Sequence, residues 1–364
     1  MRICKLKLSQ FRNIGSLSLT LDAQAQVIAL IGPNGSGKTS VLEALSLLTP
    51  TRGLLVAEGK TQIQSGAKEW GIWAQLHSGA EFGQAYRQEG RKSERIFTLD
   101  TNRHPLEAMA HHGSVVWLTP QTDFLFSGPP ANRRRWLDDL TTALIPAHAG
   151  AVQRFNQHRQ ARLRLLQNGE RSDWLDAEER LAAEWGIRVL THRLDYLTRL
   201  EPHLHGVALA LQGTALEVIS DPTPIAALKG KFERSRDIDA RIGRTHAGPN
   251  TLDLSGHLTL EDSRSIPLAQ ASSGQHKRAL IQWLVGHVQL LAQAQNRPPL
   301  VLIDEFSAHL DAPRRHLLME TLLASGCQIW LTDTETPPVN LPGLHVIPIE
   351  NGSLMSPTKE GQQL

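Results

Sequence analysis

Apolar and polar residues alternate at the start of the chain, Cys4, Leu6 and Leu8 against Lys5, Lys7 and Ser9. A period of two predicts a strand with one wet face. Leu17, Leu19 and Leu21 repeat the pattern, and Val27–Ile31 is a solid apolar run that reads as a buried strand. A glycine-rich turn follows over 32–38. Leu42, Leu45 and Leu48 then recur at every third position and predict a helix over Ser40–Leu48, ended by Pro50. The stretch 53–120 is mixed, with short β-like pieces at Arg95–Leu99 and Val115–Leu118 among loops. From about residue 130 the period lengthens. Val152, Phe155, Arg159, Leu163 and Leu166 mark one helix. After the Asn168-Gly169 break, Leu181, Trp185, Val189, Leu194 and Leu197 mark a longer one, and the two make a helical insertion. Residues 215–265 read as loops and short strands. Ala279–Ala294 is helical, and Leu300–Ile303 and Ile329–Leu331 are buried strands. The polar residues 351–364 are expected to fray.

Composition narrows the class. A length of 364 residues suits two compact units, or one large α/β domain with an insertion. An apolar share of 40% excludes wholesale disorder. A net charge of +2 excludes a histone-like polycation and leaves any nucleic-acid surface to local patches. Cys4 and Cys327, far apart, offer neither metal spacing nor a disulfide framework, which points to the cytoplasm. The first residues hold no apolar signal core, and no apolar run is long enough to span a bilayer, so no membrane partner is expected.

The chemistry sits in short motifs. Gly32-Pro33-Asn34-Gly35-Ser36-Gly37-Lys38-Thr39 matches G-x-x-x-x-G-K-[ST] between a predicted buried strand and a predicted helix. Its glycines let backbone N–H groups turn toward phosphates, and the helix N-terminus adds positive potential. Lys38 can reach the β/γ-phosphates of ATP, and the Thr39 hydroxyl can ligate Mg²⁺. The Leu300–Ile303 strand ends in Asp304-Glu305, which suits Asp304 to the Mg²⁺ and Glu305 to polarising a water as general base. Ala271-Ser272-Ser273-Gly274-Gln275 has the form of an ABC signature, though alone it also reads as a helix N-cap. Ser307-Ala308-His309-Leu310-Asp311 stands where a D-loop belongs, and Thr332-Asp333-Thr334 stands where a switch histidine is usual. Arg12 and Asn13 follow the first strand.

With these residues the chain resembles the RecF family of SMC-like ABC ATPases, in its alphaproteobacterial variety. The likeness runs through Phe11-Arg12-Asn13, the P-loop with Leu42-Glu43-Ala44-Leu45, and Thr51-Arg52-Gly53-Leu54. It continues in Leu118-Thr119-Pro120, Phe126-Ser127-Gly128-Pro129 and Arg133-Arg134-Arg135-Trp136-Leu137-Asp138. One departure stands out: Gly248-Pro249-Asn250-Thr251-Leu252-Asp253-Leu254 replaces the usual Gly-Pro-His-Arg-Asp-Asp-Leu. The resemblance implies an α/β, ABC-type P-loop ATPase head with an inserted, mainly helical arm. The head would comprise 1–122 and 255–350, the arm 123–254, and a polar tail 351–364.

The family likeness also implies an ATP-dependent homodimer in which two chains enclose ATP and Mg²⁺. The P-loop, Arg12 and Asn13 would face Ser272, Gly274, Gln275 and Asp311 of a second copy. Such a clamp would close on duplex DNA near single-strand gaps or junctions and reopen on slow, DNA-stimulated hydrolysis. It would serve recombinational repair and fork maintenance with RecO and RecR, helping RecA to load. Candidate DNA contacts are Arg133, Arg134, Arg154, Arg159 and Arg162. The rivals are an ABC transporter ATPase subunit, against which the separation of Lys38 and Asp304 by 266 positions counts, and another SMC-like ATPase, for which the helical stretch is short.

Overall fold

The computed structural model describes residues 1–50, 53–55, 59–90, 92–105, 112–309, 312–336 and 343–355. Contacts divide the chain into two units, Met1–Asp123 with His287–Leu364, and Phe124–Gly286.

Among the described residues the first unit holds two six-stranded sheets. One is antiparallel, built from β1 (Ile3–Phe11), β2 (Ile14–Thr20), β4 (Glu69–Leu76), β5 (Glu81–Glu89), β6 (Lys92–Leu99) and β7 (Asn102–Arg103) in the order β2-β1-β4-β5-β6-β7. In β4 the inward set is Trp70, Ile72, Ala74 and Leu76, the alternation of a half-buried strand. The pairing of β1 with β4 shifts register between Ile3 and Lys5, so Ile3 is buried and Cys4 only half-buried. The other sheet comprises β3 (Val27–Ile31), β8 (Val115–Leu118), β12 (Leu300–Ile303), β13 (Gln328–Asp333), β14 (Leu344–Glu350) and β15 (Ser353–Leu354), ordered β15-β14-β3-β13-β12-β8. All its pairings are parallel except that of β15 with β14. Its central strands are apolar on both faces, as parallel strands must be when both faces are covered. Helix α1 (Lys38–Ser46) touches β1 of the first sheet and β8 and β13 of the second, and Val41, Leu42, Ala44 and Leu45 fill the core there. Helices α9 (Phe306–His309) and α10 (Ala312–Ala324) connect β12 to β13.

The second unit centres on α2 (Pro130–Leu144), α3 (Ala147–Gln167) and α4 (Asp173–Leu200). The break expected at Asn168-Gly169 is present, with Gly169 at φ +75°. Gly186 lets α4 approach its neighbours: a Cβ there would lie 2.9 Å from Leu228 and 3.3 Å from Phe155. Strands β9 (Val207–Gln212), β10 (Asp253–Thr259) and β11 (Ser265–Pro267) form a small antiparallel sheet. Residues 215–242 are not loops and strands as expected but helices α5 (Ala215–Ile219), α6 (Pro224–Arg234) and α7 (Arg236–Ile242). Helix α6 buries Leu228 and Phe232, four apart on one face, against Phe155 and Ala182. Helix α8 (Ser273–Gln295) starts in this unit. The polar stretch expected from residue 351 begins instead with β15, and Gly352 N–H donates to Ser36 O at 2.8 Å. No helix among the described residues is long and apolar enough to cross a membrane.

Candidate functional site

The glycine-rich turn joins β3 to α1. A Cβ on Gly32 would meet Ile349 O at 2.1 Å, so only glycine fits there. Gly37 sits at φ +108° immediately before α1, and a Cβ would press on the Asn13 amide at 3.3 Å. Lys38 opens the helix with its side chain buried. Its Nζ donates to Gly32 O at 2.6 Å and Pro33 O at 2.9 Å, inside the turn it would share with a phosphate. Burial lowers the pKa of the ammonium, and the Asp304, Asp333 and Glu305 carboxylates oppose that shift.

The sheet order brings the acidic residues to the same edge. β13 lies between β3 and β12, so the C-terminal ends of all three strands meet where ligands bind in such sheets. Thr39 Oγ1 donates to Asp304 Oδ1 at 2.9 Å, although the two residues are 265 positions apart. Thr332 Oγ1 donates to the same Oδ1 at 2.6 Å. Glu305 is exposed, with φ +53°, and its N–H donates to Thr332 Oγ1 at 2.8 Å. Ser307 N–H donates to Asp333 Oδ2 at 3.0 Å.

Arg12 and Asn13 close the near side. Arg12 is at φ +56° and pairs through Nε and Nη2 with both oxygens of buried Glu43, each at 2.7 Å. Its Nη1 donates to Thr61 O at 2.9 Å. Asn13 Nδ2 donates to Gly35 O, and Ser40 Oγ donates back to Asn13 Oδ1, both at 2.9 Å. The result is a cleft of about 940 Å³ lined by Arg12, Asn13, Asn34, Gly35, Gly37, Lys38, Thr39, Glu305, Thr332 and Asp333 among others. Positively placed backbone, one lysine and clustered hard oxygens suit a polyphosphate with its cation.

The remaining sequence candidates lie elsewhere or outside the described residues. Ser272 and Gln275 form a capping box at the start of α8: Ser272 N–H donates to Gln275 Oε1 at 2.8 Å, and Gln275 N–H to Ser272 Oγ at 3.4 Å. Ser272 and Gly274 remain exposed. Asp311 and Leu310 lie outside the described residues, as do Thr51 and Arg52.

Two of the proposed DNA arginines need correction. Arg133 is buried, holds both oxygens of Asp253 at 2.8 Å and donates to Gly128 O at 2.7 Å. Arg162 is fully buried and spends its guanidinium on Glu179, Asp239 and Phe232 O. Neither presents its charge to solvent: Arg162 is enclosed with two fully buried carboxylates, and Arg133 is covered although its partner Asp253 is 36% exposed. Arg134 is half-buried and donates to Leu252 O at 2.9 Å, and Arg159 is half-buried, its pKa lowered by desolvation. Arg154 is exposed and sits 4.4 Å from the Trp185 ring centre, with Arg188 at the same distance.

Thr332 was marked in the sequence only by its place at the switch position; Ser40, which also lines the cleft, and Glu43, the buried partner of Arg12, were not anticipated. The available signal was a polar pair closing the apolar run Ile329–Leu331, and a single carboxylate inside the apolar face of α1.

Residues 1–67 match the model of an AAA ATPase domain. The DNA replication and repair protein RecF of Mesorhizobium japonicum is 33% identical over 352 residues, covering 92% of this chain and 91% of that protein. The proteins of the same name from Agrobacterium fabrum and Rhizobium meliloti are each 32% identical over 92% of this chain and 92% of their own length. The chain belongs to the RecF family. A solved structure of the recombination mediator protein RecF, as RecF-ATPrS in the RecFOR pathway, superposes with a TM-score of 0.82 at 18% identity and covers 97% of both chains. The RecF-ATP form gives 0.80, so the fold is that of RecF throughout. The departure from the RecF pattern at Asn250-Thr251 is only partly satisfied locally, since Asn250 Oδ1 is buried without a hydrogen-bond partner among the described residues. Asn250 Nδ2 donates to Thr245 O and Thr251 Oγ1 to Gly248 O, each at 2.8 Å.

Proposed function

We propose that the chain is an ATP-driven DNA clamp of recombinational repair that hydrolyses ATP slowly to reset itself. The observation that carries the reading is the contact between Thr39 and Asp304, which assembles one nucleotide cleft from opposite ends of the sequence. Lys38, released from the Gly32 and Pro33 carbonyls, holds the β/γ-phosphates, and the turn's N–H groups take the phosphate oxygens. The Thr39 hydroxyl and Asp304 carboxylate are hard oxygen donors in mutual contact, a set that fits Mg²⁺. When bound, the ion neutralises phosphate charge. Glu305, exposed at the cleft, takes the proton from the water that attacks the γ-phosphorus as the bond to the β-phosphate oxygen breaks.

A lone chain leaves the cleft open, and the exposed Ser272 cap with the α8 N-terminus offers the anion-binding end that a second copy would bring. ATP therefore drives homodimerisation in this reading. The dimer holds duplex DNA near gaps or junctions, and exposed Arg154 and half-buried Arg159 are its arm contacts. RecR and RecO are the partners suggested by membership of the family, and the site of action is the cytoplasm. The Glu305→Gln variant tests the assignment: it should bind ATP-Mg²⁺ with near-parental affinity by calorimetry and turn over at least about a hundredfold more slowly. Parental turnover would remove Glu305 as the base.

A further inference from the structure

The last two residues of β13 are engaged in a way that the nucleotide-binding motifs do not account for. Thr332 is fully buried, and its hydroxyl makes two bonds at once. It donates to Asp304 Oδ1 at 2.6 Å and accepts the Glu305 N–H at 2.8 Å. Asp333, next in sequence, accepts Ser307 N–H on Oδ2 at 3.0 Å and Thr334 N–H on Oδ1 at 2.8 Å. Two consecutive side chains thus hold the backbone on both sides of Glu305–Phe306, from a strand paired directly with β12.

That hold matters because Glu305 has a left-handed backbone at φ +53°. A non-glycine residue there is strained and persists only when its surroundings over-determine it. The direction of the Glu305 side chain into the cleft follows from that backbone. If the conformation relaxed toward the ordinary helical or extended regions, the carboxylate would swing away from the phosphates' end of the cleft.

We propose that Thr332 and Asp333 form a positioning latch, in which Thr332 ties the Glu305 backbone to Asp304 and Asp333 ties the same turn to the start of α9, so that the pair sets the rate of hydrolysis without contributing to nucleotide affinity. The inference rests on the reading of Glu305 as the base. Thr332 acts through Glu305 and Asp304, since its hydroxyl proton is committed to Asp304 and a lone pair to Glu305 N–H. Asp333 acts through Ser307, at the segment leading into the D-loop position. Its carboxylate also lines the cleft, where it opposes a phosphate's charge, so removing it leaves ATP affinity equal or higher.

The test compares Thr332→Val, Thr332→Ser, Asp333→Ala and Glu305→Gln in the full chain. It measures steady-state kcat and KM with ATP-Mg²⁺, and Kd by calorimetry. Thr332→Val keeps the shape and deletes the hydroxyl. Its kcat should fall between about tenfold and a hundredfold with Kd within about threefold, because a displacement of an ångström at a catalytic group costs that much. Thr332→Ser, which keeps the hydroxyl, should restore kcat to within about threefold. Asp333→Ala should lose kcat while binding ATP at least as tightly, and calorimetric binding shows that each variant is folded. A Thr332→Val kcat within twofold of the parent, or ATP affinity and kcat falling together in both Thr332→Val and Asp333→Ala, overturns the latch while a dead Glu305→Gln leaves the base in place. Retained turnover in Glu305→Gln overturns both.

Discussion

Arg162→Ala separates the two roles an arginine in this arm can have. The side chain has no exposed surface. Its Nε donates to Glu179 Oε1 at 3.0 Å, its Nη1 to Asp239 Oδ2 at 2.7 Å and its Nη2 to Phe232 O at 2.6 Å. Both carboxylates are themselves fully buried. Removing the cation from a buried pair costs about 3–5 kcal/mol, because a charge is left without its partner. Here the loss is at the lower end, about 3 kcal/mol, since each carboxylate keeps other donors. Glu179 retains Arg236, and Asp239 retains Ser235 Oγ at 2.7 Å and His246 N–H at 3.0 Å. For a unit of this size each kcal/mol shifts the midpoint by about 2–4 °C, so the arm's transition should fall by roughly 6–12 °C in differential scanning calorimetry. DNA affinity measured well below that transition should be unchanged. A melting profile within about 1 °C of the parent, together with weakened DNA binding, would refute the reasoning and return Arg162 to the DNA surface.

Other outcomes follow from the same geometry. Arg154→Glu should weaken duplex binding and flatten its dependence on salt, by about one unit of slope for each phosphate that is no longer neutralised, read from affinities over a salt series; an unchanged slope moves the DNA surface away from α3. Ser272→Arg should leave ATP binding intact and abolish ATP-dependent dimers in light scattering, because a bulky cation would occupy the cap; persistent dimers contradict the signature assignment. His287 is fully buried, and desolvation lowers its pKa to about 3. Its unfolded value is about 6.5, so the neutral ring contributes stability above that pH, lost as pH falls toward 3. His287→Leu should therefore flatten the acid limb of the stability–pH curve below about 6.5, followed by denaturant titration at several pH values.

The parallel sheet and its motifs were legible because they are local. Val27–Ile31 and Leu300–Ile303 are apolar on both faces, and the order strand, glycine turn, helix leaves little else to form. β4 also carried a clear alternation, Trp70-x-Ile72-x-Ala74-x-Leu76, but sits among charged loops that drew the reading toward mixed structure. Helices α5–α7 were missed because each is too short for a helical period to stand out, α5 being the five residues Ala215–Ile219; packing of Leu228 and Phe232 against α3 and α4 makes α6 recognisable. Within the cleft, Lys38, Thr39, Asp304 and Glu305 stood out by motif. Thr332 stood out only by its place at the switch position; its bond to Asp304 depends on β13 lying between β3 and β12, and strand order is not written in any single stretch. The arginines failed for a complementary reason. Charge in a sequence says nothing about burial, and Arg133 and Arg162 found carboxylates 120 and 77 residues away.

Sedimentation velocity of the full chain, with and without ATP-Mg²⁺ and with a gapped duplex added, tests the ATP-driven clamp most directly. The chain should sediment as a monomer without nucleotide and as a dimer with ATP-Mg²⁺, and the dimer should co-sediment with the duplex. Lys38→Ala should remain a monomer under all conditions. A parental chain that stays monomeric at saturating ATP-Mg²⁺ and gapped duplex, or a Lys38→Ala variant that dimerises like the parent, would contradict the clamp.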